Sequence, residues 1–385
     1  MADIRTEEML LNMGPQHPST HGVLRVVVRT DGEIILDAEV HVGYLHRCFE
    51  KIAENVTWLQ VTPYTDRMDY LASMANNIAW SIACEKLGSI RVPRRAELIR
   101  ILVAELQRIA SHLMAIGTYG LDIGAFTPFL YCFRDREKIL KIFERICGQR
   151  LNYNYPRPGG VAFDLTADMI SDIAWFVDYF GPRLEEVNQL FTYNGIFIQR
   201  TANVGVLPAD VALGYGCTGP VLRGSGVKRD LRKDQPYGLY PEFEFDVPTG
   251  QGTKGTVGDC WDRYWVRVRE CFESLRILRQ ALDKIGKLPA DAEHPDNQFM
   301  VKDIAAKKGQ VRPPKGETYA KVENPRGELG YYVVSDGTAK PYRVKARAPS
   351  FHNISVLPEI SRGCMVADMV AIIGSTDIVL GEVDR

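Results

Sequence analysis

The chain has 385 residues, 45% of them hydrophobic and 25% charged, which is ordinary usage for a globular protein large enough to bury a substantial core. Its formal net charge of −1 at pH 7 gives no sign of the basic surface that nucleic-acid binding requires and no strong attraction to anionic lipid. Length alone allows one large domain or two to three smaller ones.

The cysteines and the apolar segments indicate the cellular compartment and whether the chain itself crosses a membrane. The eight cysteines include no CxxC pair, so they indicate buried thiols in a reducing compartment and neither a disulfide frame nor a zinc or iron–sulfur site. No apolar run reaches the roughly 20 residues that span a bilayer. The start, MADIRTEEMLL, is unlike a signal or transit peptide. We therefore expect a bacterial protein that reaches a membrane only through partners.

The first informative segment is the loop NMGPQHPSTHGV at residues 12–23. Its glycines and prolines forbid a helix and favour a tight, fixed loop that could hold an imidazole still. His17 and His21 lie four residues apart in it. Turn chemistry alone also explains the composition, so histidines that only cap backbone groups remain an alternative.

The predicted elements divide the chain into three regions. Residues 1–65 are expected to form an α+β cap, with strands in LRVVVRT and EIILDAEVHV around a turn at Asp31 and Gly32. Residues 66–287 are expected to form a helical bundle. Its predicted helices are 96–116, 135–147 ended by Gly148, 165–194 as a pair broken near Gly181 and Pro182, and 262–285. The long irregular stretch 201–248 is of a kind that is often functional.

Residues 288–385 form the third region. The polar segment 288–314 is expected to be a surface excursion without a short helix of its own. A strand pattern returns at 328–347 around the turn at Asp336 and Gly337. The terminal MVADMVAIIGSTDIVLGEVDR is expected to be a buried helix followed by a tail.

Long strings in a consistent order carry a family resemblance through most of the chain. They are GPQHPSTHG (14–22), HVGYLHRCFEKIAEN (41–55), PYTDRMDYL (63–71), VPRRAELIRILVAELQRIASHL (92–113), LDIGAFTPFLYCFRDRE (121–137), NYPRPGGV (154–161), LRGSGVKRDLRK (222–233), ELGYYVVSDG (328–337), PYRVKARAPSF (341–351) and DMVAIIGSTDIVLGEVDR (368–385). The chain resembles the quinone-site subunit of respiratory complex I, the NADH:quinone oxidoreductase. The resemblance weakens at 288–314.

This resemblance implies an α+β, mainly helical fold, the large-subunit bundle of nickel–iron hydrogenases with small β-containing edges. Hydrogenases hold nickel with two CxxC motifs. Here Asp69 and Ala72 stand where the first pair of cysteines would be, and residues 381–385 lack the second. Because nickel and iron need soft thiolate ligands at such a site, we expect no metal centre and a cavity that is free for another use.

The resemblance assigns the reaction at this cavity to three residues. Tyr70 and His21 would donate protons to the two quinone carbonyls, and Asp122 would orient and charge the imidazole of His21. Met68 and Leu71 could supply apolar wall for the quinone. The alternatives are a core aromatic at position 70, a helix cap at position 122 and ordinary core packing for the two apolar residues.

The resemblance also places Arg47 close to a [4Fe-4S] cluster carried by a neighbouring subunit, and less firmly Arg67 and His112. A fixed positive charge there would favour the reduced cluster. Ordinary ion pairs, or a satisfied buried histidine for His112, are the alternatives. The stretch 222–233 has no phosphate-loop pattern and is expected to pack against partners. Without a GxGxxG motif, we expect no nicotinamide or flavin on this chain.

The function implied is that of a subunit of a proton-translocating NADH:quinone oxidoreductase. Quinone would be the substrate, with no covalently bound cofactor and no nucleic-acid partner. The expected partners are a small iron–sulfur subunit carrying the terminal cluster, other peripheral-arm subunits and membrane-arm subunits. The expected location is the cytoplasmic face of the bacterial inner membrane, peripheral through the complex. Alternatives are a ferredoxin-fed assembly, a purely structural scaffold and a hydrogenase-like large subunit, which the missing CxxC motifs disfavour.

Overall fold

The N-terminal region begins with a three-stranded antiparallel sheet. A computed structural model describes residues 8–289, 291, 293–306 and 310–385 of the chain. The sheet has the order β1 (Glu8–Met13), β2 (Arg25–Asp31) and β3 (Ile34–His41). Strands β2 and β3 were predicted, whereas the edge strand β1 was missed. Five of its six residues are exposed, so it shows no alternation of buried and exposed side chains.

Helices make up most of the rest of the chain. In order they are α1 (Phe49–Ala53), α2 (Trp58–Asp66), α3 (Ser73–Gly88), α4 (Arg94–Asp122), α5 (Phe126–Cys147), α6 (Ala167–Val187), α7 (Gly195–Thr201), α8 (Ala209–Gly214), α9 (Gly219–Gly224), α10 (Leu231–Asp234), α11 (Cys260–Gly286), α12 (Lys302–Ala306), α13 (Pro349–Ile354), α14 (Leu357–Ser361), α15 (Val366–Thr376) and α16 (Leu380–Asp384). The short strands β4 (Pro156–Arg157) and β5 (Gly160–Val161) pair with each other. A second three-stranded antiparallel sheet has the order β6 (Gly316–Asn324), β7 (Gly327–Ser335) and β8 (Arg343–Arg347).

Amphipathic periodicity found the long helices of the bundle but not all of their bounds. Helix α4 starts two residues before the predicted segment and continues six beyond it, which brings Asp122 to its C-terminal end. Helix α5 starts nine residues earlier than predicted and ends where expected, because Gly148 takes a left-handed φ of 73°. Helix α11 matches its prediction within two residues at each end.

The predicted break near Gly181 and Pro182 is wrong. Helix α6 runs through Pro182 and passes into a π-helical turn at Asn188–Thr192, and the chain turns only at Tyr193 and Asn194. The buried apolar face of α6 keeps its helical spacing on both sides of the proline. Burial of that face offsets the backbone hydrogen bond that a proline removes.

Helix α3, which lies near the site, was missed because it has no clearly exposed face. Most of α3, from Ser73 to Glu85, is buried, so its polar and apolar residues do not segregate. It packs between α2, α4 and strand β6. A second core cluster forms here, with Trp80 stacked on Trp58 at 5.8 Å and edge-on to Tyr331 at 5.7 Å.

The C-terminal region departs from its prediction at three points. A one-turn helix, α12, lies in the segment 288–314, which was predicted to have none, although residues 290, 292 and 307–309 of that segment lie outside the described residues. Strand β6 was also missed. The predicted free tail is wrong, because all five residues of α16 are buried and Asp384 accepts hydrogen bonds from the backbone N–H groups of Gly43 and Leu45 at 2.7 Å each.

The predicted fold class, α+β and mainly helical, is confirmed. The main hydrophobic core joins the N-terminal sheet to α4, α5, α6, α11 and α15. The second core cluster joins α2 and α3 to the C-terminal sheet. The division into domains at residues 65 and 287 stays a prediction.

Gly219 offers a test of how tightly the C-terminal sheet packs on the bundle. It has φ 68°, and a Cβ there would lie 2.4 Å from the carbonyl oxygen of Arg326. We predict that Gly219→Ala lowers the free energy of unfolding by about 1–3 kcal/mol. The alanine would have to adopt a left-handed backbone conformation, and its Cβ would overlap the backbone of Arg326. Chemical denaturation of the purified chain measures this. Gly214→Ala, which would meet no atom within 4 Å, is the control, and equal stability of the two variants would contradict this packing.

Candidate functional site

The N-terminal loop is fixed by its own hydrogen bonds. Pro18–Thr20 form one turn of 3-10 helix, and the backbone N–H of Ser19 donates to Nδ1 of His17 at 3.2 Å. The hydroxyl of Thr20 donates to the carbonyl oxygen of His17 at 2.8 Å. His17 therefore stabilises the loop, which is one of the two roles that the sequence left open. The loop holds His21 in the left-handed region, with φ 53°.

His21 is paired with Asp122 at the end of α4. Its Nε2 lies 2.6 Å from Oδ2 of Asp122, and both side chains are largely buried. Burial lowers the pKa of His21, but the hydrogen bond and the charge of Asp122 outweigh it, so the pKa lies above its ordinary value of 6.5. The described part of the chain supplies no hydrogen-bond partner for Nδ1. A protonated His21 can therefore donate through Nδ1 while Nε2 stays bound to Asp122.

Tyr70 lies in the turn between α2 and α3 and is half-buried. Its hydroxyl makes no hydrogen bond to the described residues, so it is free to donate to a ligand. Burial raises the pKa of Tyr70. At neutral pH the phenol is therefore protonated.

A cavity of about 350 Å³ lies between these residues, and its walls come from four separate segments. The N-terminal loop, the turn after α2, the C-terminal half of α4 and the segment after α15 contribute Pro18, Ser19, His21, Tyr70, Leu71, Met114, Thr118, Leu121, Asp122, Asp377, Ile378 and Val379. Apolar walls with a few convergent polar groups are typical of a small-molecule site. The structure thus brings together His21, Tyr70, Asp122 and Leu71 of the predicted site.

Met68 is not brought to this cavity. It is 1% exposed and belongs to the second core cluster, where the hydroxyl of Tyr331 donates to its Sδ at 3.4 Å. Successive residues of the turn after α2 point to different sides of the chain. Although Met68 is close to Tyr70 in the sequence, the two side chains therefore do not line the same cavity.

Asp377 and Arg326 are two charged residues at or behind the cavity wall that sequence reasoning missed. Asp377 lines the cavity, and behind it the buried guanidinium of Arg326 bridges Asp377 to Asp69. Asp69, which the resemblance places where a hydrogenase has a cysteine, forms an ion pair with Arg326. Asp377 and Arg326 are separated in sequence from Tyr70 by more than 250 residues, so no local pattern could connect them.

Arg47 and Arg67 lie together on the surface. Both are exposed, and Nη2 of Arg47 donates to the carbonyl oxygen of Arg67 at 2.6 Å. The same nitrogen lies 3.4 Å from the carbonyl oxygen of Gly381, near the buried C-terminal helix. Neither guanidinium has a carboxylate partner within the described residues, which leaves two positive charges facing solvent.

His112 is separate from that pair. It is fully buried in α4, with Nε2 2.9 Å from Oε2 of Glu270 on α11, and burial lowers its pKa. The charged stretch 222–233 is only partly turned inward, because Lys228 and Lys233 are exposed, so its packing against partners stays a prediction. Arg223 and Arg232 are buried and pair with Glu270 and Glu105.

Nowhere in the described part of the chain do three or more histidine, cysteine, aspartate or glutamate side chains converge as they would around a metal ion. Among the described helices, none combines the length and apolarity needed to cross a membrane.

Comparisons with known proteins give consistent results. Residues 122–385 match the family model described as the respiratory-chain NADH dehydrogenase 49 kDa subunit. The chain is 55% identical over 384 residues to the D subunit of the NADH-quinone oxidoreductase of Chlorobaculum tepidum, covering all of this chain and 94% of the relative. It is 54% identical to the protein of the same name from Chlorobium luteolum, covering all of this chain and 95% of the relative.

The pairing of His21 with Asp122 predicts a titration. In Asp122→Asn the hydrogen bond and the charge that raise the pKa of His21 against burial are lost, so this pKa should fall. Because the folded-state pKa of His21 is raised, the pair stabilises the fold fully below about pH 6.5 and loses this effect as the pH rises through the folded-state pKa. The stability difference between wild type and Asp122→Asn should therefore shrink with rising pH.

NMR of the purified chain with isotope-labelled histidine measures the pKa of His21 in wild type and in Asp122→Asn. The variant His21→Gln identifies the His21 signal among those of the seven histidines. Glu359→Gln, an exposed carboxylate on α14, is the control. An unchanged His21 pKa in Asp122→Asn would show that the two groups do not act on each other.

Proposed function

Because this chain belongs to the family of the 49 kDa subunit of respiratory-chain NADH dehydrogenase, we propose that the cavity between His21 and Tyr70 is where this enzyme reduces quinone. The chain is a subunit of NADH:quinone oxidoreductase, and its partners are other subunits of that membrane-associated complex. The single observation that carries the proposal is the arrangement of two unpartnered donors, His21 Nδ1 and the Tyr70 hydroxyl, on one partly apolar cavity of the described chain.

The chemistry of quinone reduction matches this arrangement. A quinone takes up two electrons and two protons to become a quinol, with one proton added at each carbonyl oxygen. Tyr70 offers a phenol that stays protonated at neutral pH, and His21 offers an imidazolium held by Asp122. After each proton is given, the donor must be protonated again from solvent. The carboxylate of Asp122 keeps the imidazole oriented and favours its recharging.

Apolar side chains of the cavity support binding of the quinone itself. Leu71, Met114, Leu121, Ile378 and Val379 offer apolar surface beside the polar groups. Such walls bind the ring and the start of an isoprenoid tail by burial of apolar area. They also exclude water, which strengthens the hydrogen bonds of the two donors.

We further propose that the electrons arrive from a [4Fe-4S] cluster in a small iron–sulfur subunit seated over Arg47 and Arg67. Two exposed guanidinium groups without carboxylate partners in the described chain suit the neighbourhood of an anionic cluster. Binding of the other peripheral-arm and membrane-arm subunits, on the cytoplasmic face of a bacterial inner membrane, completes this proposal. In a ferredoxin-fed assembly the electron donor would bind elsewhere than on this chain, so the genes beside this one distinguish the two.

Tyr70→Phe tests the proposed site most simply. It removes one hydroxyl and keeps the shape of the ring, and we expect assembled complex with quinone reductase activity lowered roughly 100- to 1,000-fold, as for other single oriented donors. Turnover with a short-chain quinone measures the effect. Tyr342→Phe, at a 67% exposed position, is the matched control, and full turnover of Tyr70→Phe would exclude Tyr70 as a donor.

Arg47→Met tests the proposed cluster environment. Loss of a nearby positive charge should lower the reduction potential of the partner's cluster while the cluster stays present. A redox titration followed by electron paramagnetic resonance gives the potential. Arg29→Met, on strand β2, removes a charge elsewhere on the surface and should leave the potential unchanged. An unchanged potential in Arg47→Met would mean that Arg47 lies away from the cluster.

A further inference from the structure

Arg326 lies behind the cavity, in the tight turn between strands β6 and β7. Its side chain is fully buried. Its backbone is held at both ends, because its N–H donates to Oδ1 of Asn324 at 3.2 Å and its carbonyl oxygen accepts from Nδ2 of Asn353 at 3.0 Å. The side chain of Arg326 therefore extends from a backbone that is held in place.

The guanidinium of Arg326 joins two carboxylates from distant parts of the chain. Its Nη1 donates to both carboxylate oxygens of Asp69, at 2.8 and 3.1 Å, and to the hydroxyl of Ser111 at 3.1 Å. Its Nη2 donates to Oδ1 of Asp377 at 3.2 Å, and its Nε to the carbonyl oxygen of Asp377 at 2.9 Å. The planar fork of an arginine makes such a bridge rigid.

Both bridged segments are walls of the cavity. Asp69 directly precedes Tyr70, and its Oδ1 also accepts from the backbone N–H of Leu71 at 3.2 Å. Asp377 itself lines the cavity, followed by Ile378 and Val379. The separation of these two walls is therefore set by Arg326.

Arg326 also acts by its charge on both proposed donors. Burial has the largest effect on each, lowering the pKa of His21 and raising the pKa of Tyr70. Among the charges, Arg326 lowers the pKa of both donors, Asp377 raises that of His21, and Asp69 raises that of Tyr70. The positive charge of Arg326 therefore opposes the effect of Asp377 on the pKa of His21 and the effect of Asp69 on the pKa of Tyr70.

Other charged groups face the same region. Arg267 of α11 places Nε 3.7 Å from Oδ2 of Asp377. Arg47 lowers the pKa of Tyr70 from the surface side, and Asp122 acts on His21 as described. Burial, with the charge of Asp69, raises the pKa of Glu382 to about 8, and the charge of Arg326 opposes this rise.

We propose that Arg326 is a positioning residue of this site: its guanidinium fixes the turn that carries Tyr70 against the segment that carries Asp377, and its charge tunes both proton donors. The inference rests on the proposed function, since it assigns Arg326 to the reaction of that cavity. Arg326 touches no substrate and acts through Asp69 and Asp377.

The test separates geometry from charge in the assembled complex. Arg326→Lys keeps the charge but loses the fork, so kcat should fall, by up to roughly a hundredfold for a misplaced donor, with the pH profile unmoved. Arg326→Gln loses both, so kcat should fall and the pH–rate profile should move to higher pH. Asp69→Asn combined with Arg326→Gln removes one of the two carboxylates that lose Arg326 as a partner, which guards against failure of the single variant to fold.

In that double variant the two changes have opposite effects on the pKa of Tyr70, while Asp377 still raises the pKa of His21 and the opposing charge of Arg326 is gone. The limb of the profile that belongs to His21 should therefore stay shifted to higher pH. Arg343→Gln, which removes an exposed arginine paired with Glu54, is the control and should change neither kcat nor the profile.

A merely structural Arg326 would change only the yield of assembled complex. Wild-type kcat and KM in Arg326→Lys would overturn the positioning role, and an unmoved profile in Arg326→Gln or the double variant would overturn the tuning. His21→Ala and Tyr70→Phe are measured beside them. Full activity of those two variants contradicts the proposed function, whereas their loss of activity with unchanged Arg326 variants contradicts this inference alone.

Discussion

The contact between His21 Nε2 and Asp122 Oδ2 is the interaction on which the site depends. It joins a loop near the N-terminus to the end of a 29-residue helix, and the cavity lies between them. The short hydrogen bond uses one ring nitrogen and leaves Nδ1 free among the described residues, so the same contact that fixes the loop prepares the imidazole to donate. Helix α4 must reach Asp122 for this, six residues beyond the periodic segment.

Buried charges join separate elements of the fold around the cavity. Glu105 of α4 accepts from Arg232 of α10 and from the hydroxyl of Ser274 of α11, at 3.1 and 2.7 Å. Arg326 does the same between the turn after α2 and the segment after α15. Removing one member of such a pair leaves an uncompensated buried charge, which typically costs about 3–5 kcal/mol. The cavity walls are therefore joined by polar contacts that tolerate little displacement.

The sequence predicted those parts of the fold that have one buried and one exposed face. Helices α4 and α11 follow that rule, whereas α3 is buried on most sides and gave no periodic signal. Pro182 suggested a break because local propensity cannot register the burial of the apolar face of α6. At the site, His21, Tyr70 and Asp122 were found through long matching strings, but Arg326 and Asp377 owe their place to contacts across the whole chain. Their proposed roles rest on geometry that only the folded structure supplies.

The position of a bound quinone tests the proposed site most directly. A cryo-EM structure of the assembled complex with a short-chain quinone, at a resolution that defines the ring, gives the contacts of each carbonyl oxygen. We predict that one carbonyl lies within hydrogen-bond distance of the Tyr70 hydroxyl and the other of Nδ1 of His21, with the Nε2 contact to Asp122 kept. A quinone ring that reaches its most buried position while touching neither residue would contradict this prediction.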